Sequence, residues 1–140
     1  MTILVLGAAG QVGRALVERL DTARRGLDKA ACDICDPASV TRALADPALS
    51  AVVNCAAYTA VDRAESEPER AFAVNAEGAE IVARAAAARG LPLIHLSTDY
   101  VYSGAAPMPY REDEPTAPRN VYGASKAAGD TAVEIGRAHV

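Results

Sequence analysis

Large aromatic residues and long apolar runs are scarce in this sequence. Its 140 residues include five tyrosines, one phenylalanine and no tryptophan, and much of the 51% that is hydrophobic is alanine. This composition predicts a core of small side chains in elements that pack closely. No stretch reaches the roughly 20 apolar residues of a membrane-spanning helix, so we expect no membrane span.

An excess of positive charge is also absent. The sequence has 14 basic and 18 acidic residues and a net charge of −4. Without a basic block to release counterions from phosphates, we expect no nucleic-acid partner. The first residues, Met1–Leu6, have neither the basic flank nor the cleavage site of a secretory signal. These features predict a cytoplasmic protein, and the length suits one domain.

Cysteine is rare as well. Cys32, Cys35 and Cys55 form an odd set, which in a cytoplasmic protein indicates reduced thiols. Cys32 and Cys35 form a lone C-x-x-C pair, and a zinc or redox site would need a second pair or a helix N-terminus directly behind it. The two histidines, His95 and His139, do not complete a zinc site. We therefore expect no metal.

Apolar runs alternate with stretches of helical spacing along the chain. Buried strands are predicted over residues 2–6, 51–55 and 91–97. Helices are predicted over 11–20, 37–44, 62–89 (interrupted near Pro68 and Gly78) and 121–139, with a proline-rich loop over 104–120. This alternation predicts an α/β fold, namely a Rossmann-like, doubly wound parallel sheet in three layers.

The first motif with chemical content is the glycine-rich turn Gly7-Ala8-Ala9-Gly10-Gln11-Val12-Gly13. It follows a predicted buried strand and opens a predicted helix, where the pyrophosphate of a dinucleotide binds. Gly7 allows the tight turn, Gly10 lets backbone N–H groups approach the anion, and Gly13 lets the helix lie close to the sheet. The alternative is a glycine-rich turn that binds no ligand.

The second motif pairs Tyr122 with Lys126, four residues later on the same face of a predicted helix. A neighbouring ammonium stabilises a phenolate and moves the pKa of a tyrosine, ordinarily about 10, toward neutrality. Such a pair can exchange a proton with a carbonyl or alcohol during hydride transfer. Ser97 and Thr98 end the third strand, where hydroxyls can hold a carbonyl oxygen. The alternatives are an incidental Tyr–Lys pair and hydroxyls that cap a turn.

Five blocks of sequence resemble the dTDP-4-dehydrorhamnose reductase family of the extended short-chain dehydrogenase/reductases. They are ILVLGAAGQVG at 3–13, VNCAAYTAVDRAESE at 53–67, AVNA at 73–76, HLSTDYVY at 95–102 and YREDEPTAPRNVYGASKAAG at 110–129. The resemblance implies reduction of the 4-keto group of dTDP-4-dehydro-6-deoxy-L-mannose by NADPH or NADH. The product, dTDP-L-rhamnose, serves the bacterial cell envelope.

The resemblance also implies roles for single residues. Tyr122 would donate the proton, Lys126 would activate Tyr122 and hold the nicotinamide ribose, and Thr98 and Asp99 would contact the substrate. Asn75 would pack behind the site. The implied cofactor contacts are Gly7, Gly10, Gln11, Val12 and Gly13 at the pyrophosphate, Asp33 and Ile34 at the adenine, and Ala57, Tyr58 and Thr59 after the second strand.

Three departures from the family pattern modify these expectations. Residues 21–32 lack the buried run of the family's second strand, so we expect at most a short strand near 29–32 and leave the choice between NAD and NADP open. Arg24 and Arg25 are interpreted as a solvated helix end rather than as contacts to a 2′-phosphate.

Family members are about twice as long, which predicts a partial dinucleotide-binding domain over 1–140 without the small substrate domain. Ala15 replaces a glutamate that helps to hold magnesium in some members, which also argues against a metal.

Three functional hypotheses follow. In the first, the chain is the cofactor-binding and catalytic part of a reductase that acts on a nucleotide sugar. In the second, it is a non-catalytic nucleotide-binding or regulatory module on the same scaffold, and in the third its ligand site has decayed. The presence of Thr98, Tyr122 and Lys126 together favours the first hypothesis. Whether the chain forms a homodimer stays open.

Overall fold

The computed structural model describes residues 1–20 and 24–137, which surround a parallel sheet. Its strands are β1 (Thr2–Leu6), β2 (Arg24–Leu27), β3 (Leu49–Asn54) and β4 (Leu93–His95), in the spatial order β2-β1-β3-β4. In β1 and β3, consecutive residues such as Val52 and Val53 are buried, as expected for strands covered on both faces. The strands predicted from the three apolar runs are confirmed, with ends that differ by a few residues.

Six helices accompany the strands in the part of the chain that is described. They are α1 (Gln11–Arg19), α2 (Pro37–Ala43), α3 (Val61–Ala64), α4 (Pro68–Phe72), α5 (Gly78–Ala88) and α6 (Val121–Arg137). A π-helical turn over Ala73–Glu77 joins α4 to α5, and a 3₁₀ turn over Asp99–Val101 follows β4. The predicted interruptions near Pro68 and Gly78 are therefore confirmed. The predicted end of the last helix, at 138–139, lies outside the described residues.

The order of the strands determines where a ligand can bind. The chain moves from β1 to β2 through α1 in one direction, and then to β3 and β4 in the other direction. Because such crossovers are right-handed, α1 lies on one face of the sheet, and α2 and α5 lie on the other. This is the predicted doubly wound arrangement. Its direction changes between β1 and β3, and a crevice opens there at the carboxyl ends of the strands.

Strand β2 corrects the prediction for residues 21–32. The strand occupies Arg24–Leu27, whereas residues 29–31 form a turn. Arg24 and Arg25 therefore lie in an edge strand and not at a helix end, and the Arg25 guanidinium lies 3.8 Å from the Asp46 carboxylate. Residues 24–26 are exposed, so their sequence carries no apolar signal. Backbone pairing with β1 holds this strand in the sheet.

The core is built from aliphatic side chains of modest size, as the composition predicts. On the face covered by α2 and α5, the buried residues include Leu4, Leu6, Val40, Val52 and Val82. Helix α6 packs on α5 through Ala79, Ala83 and Val133, and small side chains allow this close approach. Among the described helices, none combines the length and apolar character needed to cross a bilayer.

Candidate active site

The glycine turn after β1 has two positions that the fold itself reserves for glycine. Gly7 has a φ of +75°, and a Cβ there would lie 2.6 Å from the backbone nitrogen of Ala56. A Cβ at Gly13 would overlap the carbonyl oxygen of Gly7, which would push α1 away from the turn. Both residues therefore serve the tight turn and the close helix packing expected of them.

Gly10 is different, because the chain leaves room for a side chain at this position. A methyl group added there would have the Gly7 carbonyl oxygen as its nearest neighbour, at 3.4 Å. Gly10 is also the N-cap of α1, and no side chain caps this helix end. The first backbone N–H groups of α1, from Gln11 to Gly13, thus lack an intrahelical acceptor. This helix end fits an anion that approaches the backbone closely.

Two adjoining clefts extend from the glycine turn. The first cleft, of about 210 Å³, is lined by residues that include Asp28, Lys29, Asp33 and Ile34. The second cleft, of about 580 Å³, is lined by residues that include Gln11, Val12, Thr59, Tyr122 and Lys126. Residues that line both clefts are Ala9, Gly10, Cys55, Ala56 and Ala57. The clefts therefore meet where β1 and β3 end, at the crevice that the strand order predicts.

Asp28 is a candidate site residue that sequence reasoning missed. It comes directly after β2 and lines the first cleft, and its carboxylate accepts a hydrogen bond of 3.0 Å from the backbone N–H of Ala31. An acidic residue about 20 positions beyond the glycine turn is the usual ribose contact of this fold. That spacing was available as a signal, but it is informative only when β2 is placed at 24–27.

The N-terminus of α6 fixes the position of Tyr122. The side chain of Asn120 accepts a hydrogen bond of 2.7 Å from the N–H of Gly123, and that of Glu65 accepts one of 2.8 Å from the N–H of Val121. A Cβ at Gly123 would overlap the carbonyl oxygen of Tyr100, so the helix lies directly on the 3₁₀ turn. The rings of Tyr100 and Tyr122 meet edge to face, with centroids 5.4 Å apart.

Lys126 lies one turn further along α6 and is 2% exposed. Its Nζ donates a hydrogen bond of 2.5 Å to the carbonyl oxygen of Leu96. Burial lowers the pKa of Lys126, and the Asp130 carboxylate acts in the opposite direction. The structure thus places the ammonium in the same cleft as the Tyr122 side chain and the glycine turn. The predicted site residues that line this cleft are Gly10, Gln11, Val12, Gly13, Ala57, Thr59, Tyr122 and Lys126.

Asn75 lies behind this pair, on the π-helical turn. Its side chain binds the backbone N–H and carbonyl of Tyr58, at 2.8 Å and 3.0 Å, and donates a hydrogen bond of 3.0 Å to the Ser125 hydroxyl. The Ser125 hydroxyl in turn donates to the carbonyl oxygen of Tyr122 at 2.7 Å. Asn75 and Ser125 are both buried. They therefore tie the segment after β3 to the helix that carries Tyr122.

Thr98 and Asp99 are not in the second cleft. They line a separate groove of about 690 Å³ between β4 and α6, and Ser97 borders both spaces. The Thr98 hydroxyl accepts a hydrogen bond of 3.3 Å from the N–H of Tyr100 and so caps the 3₁₀ turn. Thr98 thus caps a turn, which is the alternative role given for its hydroxyl in the sequence analysis.

The side chain of Tyr58 lines neither cleft, and its predicted contact with the cofactor stays a prediction. Its hydroxyl donates a hydrogen bond of 2.9 Å to Glu67. Successive side chains of an extended segment point in opposite directions. For that reason Ala57 and Thr59 reach the second cleft while the ring of Tyr58 lies against α4.

The three cysteines all line the first cleft as free thiols. Burial raises the pKa of each thiol, which makes the reactive thiolate scarcer. Within residues 1–20 and 24–137, no group of three or more His, Cys, Asp or Glu side chains is arranged to hold a metal ion.

Comparison with known proteins identifies the family. A family model described as the RmlD substrate binding domain matches residues 1–140. A dTDP-4-dehydrorhamnose reductase of Streptomyces griseus is 53% identical to this chain. The match covers 93% of this chain and 44% of that protein. The corresponding reductase of Escherichia coli K12 is 43% identical, over 96% of this chain and 47% of that protein.

Solved structures agree with the sequence comparison. A crystal structure of dTDP-4-dehydrorhamnose reductase from Bacillus anthracis in complex with NADP has a TM-score of 0.93 and 38% identity. The match covers 96% of this chain and 50% of that one. The chain thus spans about half the length of the curated relatives and structures it matches. Because the family model covers all of it, the chain belongs to the RmlD family of Rossmann-like short-chain dehydrogenase/reductases.

Proposed function

We propose that this chain forms the dinucleotide-binding and proton-donating part of a dTDP-4-dehydrorhamnose reductase. The reaction is the NAD(P)H-dependent reduction of the 4-keto group of dTDP-4-dehydro-6-deoxy-L-mannose to dTDP-L-rhamnose. The observation that carries the proposal is the second cleft, where the glycine turn, Tyr122 and Lys126 share one space. The names of the relatives at 43% and 53% identity support the same reaction.

The two clefts together offer a place for each half of a dinucleotide. The N-terminus of α1, from Gly10 to Gly13, suits the pyrophosphate because its N–H groups lack an intrahelical acceptor. The first cleft would take the adenosine half beside Asp28, Asp33 and Ile34. Lys29 supplies a positive charge in this cleft and Asp28 and Asp33 supply negative charges, so the lining charges do not by themselves favour a 2′-phosphate. The NADP named in the Bacillus anthracis structure supports NADPH as the cofactor to test first.

The chemistry divides between the cofactor and the chain. When bound, the dinucleotide supplies the hydride. The Tyr122 hydroxyl donates a proton to the carbonyl oxygen as the alcohol forms, and the Lys126 ammonium stabilises the resulting phenolate and holds the nicotinamide ribose. Both groups sit on α6, whose anchored N-terminus keeps them oriented without rearrangement.

The substrate would have to lie partly in the second cleft and partly in the groove that contains Thr98 and Asp99. Ser97 borders both the second cleft and the groove that contains Thr98 and Asp99. A sugar that reaches from the groove into the cleft would meet Thr98 at one end and Tyr122 at the other. The proposed partner is thus a nucleotide sugar, and the proposed location is the cytoplasm. A homodimer stays a prediction.

The test is NADPH oxidation with the dTDP-4-keto sugar, followed by absorbance, in the wild-type chain and in Tyr122→Phe. We expect the rate to fall on the order of 10² to 10⁴-fold, because the general acid is lost. Tyr110→Phe is the matched control, since the Tyr110 hydroxyl bonds Ser103 and Ala106, away from both clefts. Equal rates for wild type and Tyr122→Phe would end the catalytic assignment.

A binding titration separates the hypotheses further. A wild-type chain that binds NADPH saturably but does not oxidise it would support the non-catalytic nucleotide-binding module. Absence of saturable NADPH binding to the wild-type chain would overturn the proposal and support a decayed site. Fluorescence of the reduced nicotinamide reports this binding directly.

A further inference from the structure

A group of polar side chains joins β4 to α6 behind the second cleft. We call it the β4–α6 cluster, and it consists of Asn54, His95, Ser97, Lys126 and Asp130. Asn54 and Lys126 are at most 2% exposed, and the His95 side chain is 6% exposed. Ser97 is exposed and Asp130 is half-buried, but burying the other polar groups is costly unless their partners are well arranged. The roles proposed above account for Lys126 but not for His95 or Asp130.

Asp130 is held in place from the β4 side of this cluster. It lies one helical turn after Lys126, so both side chains leave the same face of α6. One carboxylate oxygen accepts a short hydrogen bond from the Ser97 hydroxyl. The other oxygen lies 3.6 Å from Nε2 of His95. The carboxylate is thus fixed relative to both β4 and Lys126.

The hydrogen bonds of Asn54 determine the protonation of His95. The Asn54 Oδ1 accepts a hydrogen bond of 3.1 Å from the N–H of Ala56, so its Nδ2 faces Nδ1 of His95, 3.2 Å away. Since Nδ2 can only donate, Nδ1 is the acceptor and the neutral ring carries its proton on Nε2. Burial, with a smaller contribution from Lys126, lowers the pKa of His95 to about 4. His95 is therefore neutral at pH 7 and leaves the charge of Asp130 uncompensated.

A negative charge near Lys126 is needed to keep its buried side chain in the ammonium form. Its only hydrogen-bond acceptor among residues 1–20 and 24–137 is the carbonyl oxygen of Leu96, and no carboxylate there forms a salt bridge with it. Arg14 on α1 lines the same cleft with a charge of the same sign, Tyr122 lines it from α6, and His95 faces Lys126 from β4 as a neutral ring. Asp130 is the acid that opposes the effect of burial on the pKa of Lys126.

We propose that Asp130 is a positioning residue for the reduction, which holds Lys126 in its ammonium form beside Tyr122 through the β4–α6 cluster. The inference rests on the function proposed for Tyr122 and Lys126. Asp130 borders the groove of Thr98 and Asp99, where the substrate is proposed to lie, and its proposed action is through Lys126. Its carboxylate would keep the ammonium available to stabilise the phenolate and to bind the ribose hydroxyls.

The first test measures the charge of Lys126 directly. Lys29 and Lys126 are the only lysines of the chain, so lysine labelled with ¹³C at Cε gives two signals that can be titrated by NMR. In Asp130→Asn we expect the Lys126 midpoint to shift to lower pH, while Lys29 is unchanged. The matched control is Glu134→Gln, the same acid-to-amide change at an exposed position of α6. An equal shift in both variants, or none in Asp130→Asn, would overturn the inference.

Two further variants separate positioning from mere support of the fold. Asp130→Glu restores the charge and should return the Lys126 midpoint toward that of the wild type. Ser97→Ala keeps the carboxylate and removes only its hydrogen bond, so we expect a smaller shift in the same direction. If Asp130→Asn does not fold, an unchanged Lys126 midpoint in Ser97→Ala contradicts the inference.

The functional readout is the pH dependence of NADPH binding. We expect the affinity of Asp130→Asn to fall at a lower alkaline pH than that of wild type, because the ammonium is lost earlier. The Glu134→Gln profile should match wild type. If the wild-type chain binds no NADPH at any pH, the proposed function fails, whereas the Lys126 titration still decides the role of Asp130.

Discussion

Gly7, Gly10 and Gly13 share one motif, yet they meet different demands. Gly7 adopts a positive φ next to Ala56, and Gly13 allows α1 to approach the turn. Gly10 has ordinary backbone angles and an open surrounding, so nothing in the chain itself requires a glycine there. The proposed function accounts for its small size, because a bound pyrophosphate would approach the backbone at this position.

This difference predicts opposite outcomes for two alanine substitutions. Gly13→Ala should lower the free energy of unfolding by about 1–3 kcal/mol, because the new methyl group overlaps the Gly7 carbonyl. Gly10→Ala should cost less, about 1 kcal/mol at most, because alanine is a poorer N-cap than glycine, but it should weaken NADPH binding roughly tenfold, since the methyl group would occupy the space of the pyrophosphate. Urea unfolding and fluorescence titration measure the two quantities. Normal NADPH affinity in Gly10→Ala would contradict the assignment of the anion site.

His95 makes stability depend on pH. Its pKa is about 4 in the folded chain, below its ordinary value of 6.5. Between these values the unfolded chain binds a proton that the folded chain does not, so stability is retained above pH 6.5 and lost as pH falls through 4. Urea unfolding at pH 7 and pH 4.5 should show this loss, and His95→Gln should show less of it. The same slope in both proteins would mean that other groups cause the acid sensitivity.

At the scale of elements, α6 carries the candidate chemistry and is anchored mainly at its first turn. Asn120 and Glu65 supply acceptors to the N–H groups of Gly123 and Val121. Further along, a Cβ at Gly129 would overlap the carbonyl oxygen of Asn75 on the π-helical turn. The helix is therefore located by two side-chain acceptors at its first turn and by a close backbone contact at Gly129, and Tyr122 and Lys126 follow its position.

Removal of the cap should be measurable. Asn120→Ala deletes the side-chain acceptor at the start of α6, and we expect it to lower the free energy of unfolding by about 1 kcal/mol. Glu65→Gln is the control, because the amide oxygen can still accept the bond from Val121. Thermal or urea unfolding compares the two. A loss in Glu65→Gln as large as that in Asn120→Ala would indicate that charge, rather than capping, stabilises this end.

The elements also show what the sequence could and could not predict. Strands β1 and β3 were recognisable because burial on both faces makes their sequences continuously apolar. Strand β2 was not, because an exposed edge strand held by backbone pairing needs no apolar residues, and Asp28 was missed with it. The separation of Thr98 from the second cleft depends on how α6 lies on the 3₁₀ turn. That is a tertiary contact, which local periodicity does not encode.

At the scale of the whole molecule, the two clefts join parts of the chain that are distant in sequence. The turn after β1, the segment after β2, the segment after β3 and the start of α6 all line them. A dinucleotide that spans both clefts, as proposed, would therefore bind the folded chain and would find no equivalent site in the unfolded one.

Binding should consequently stabilise the whole domain. At NADPH concentrations of 100 times Kd, the free energy of unfolding should rise by about 2.7 kcal/mol. Adenosine 2′,5′-bisphosphate, which can fill only the first cleft, should stabilise less at the same concentration. Differential scanning fluorimetry measures both, and tenfold weaker binding in Gly10→Ala should reduce the gain at the same NADPH concentration to about 1.4 kcal/mol. No increase in melting temperature with NADPH would argue against binding across the clefts.

The backbone-to-backbone contacts of α6 have a consequence for how this protein tolerates change. Where main-chain atoms touch, no side chain can be exchanged to absorb a mutation, so Gly123 and Gly129 leave almost no neutral substitutions. The exposed stretch at 104–109 has no such restriction. In a saturation library selected for folding alone, sequence diversity should accumulate in that stretch and vanish along the inner side of the helix.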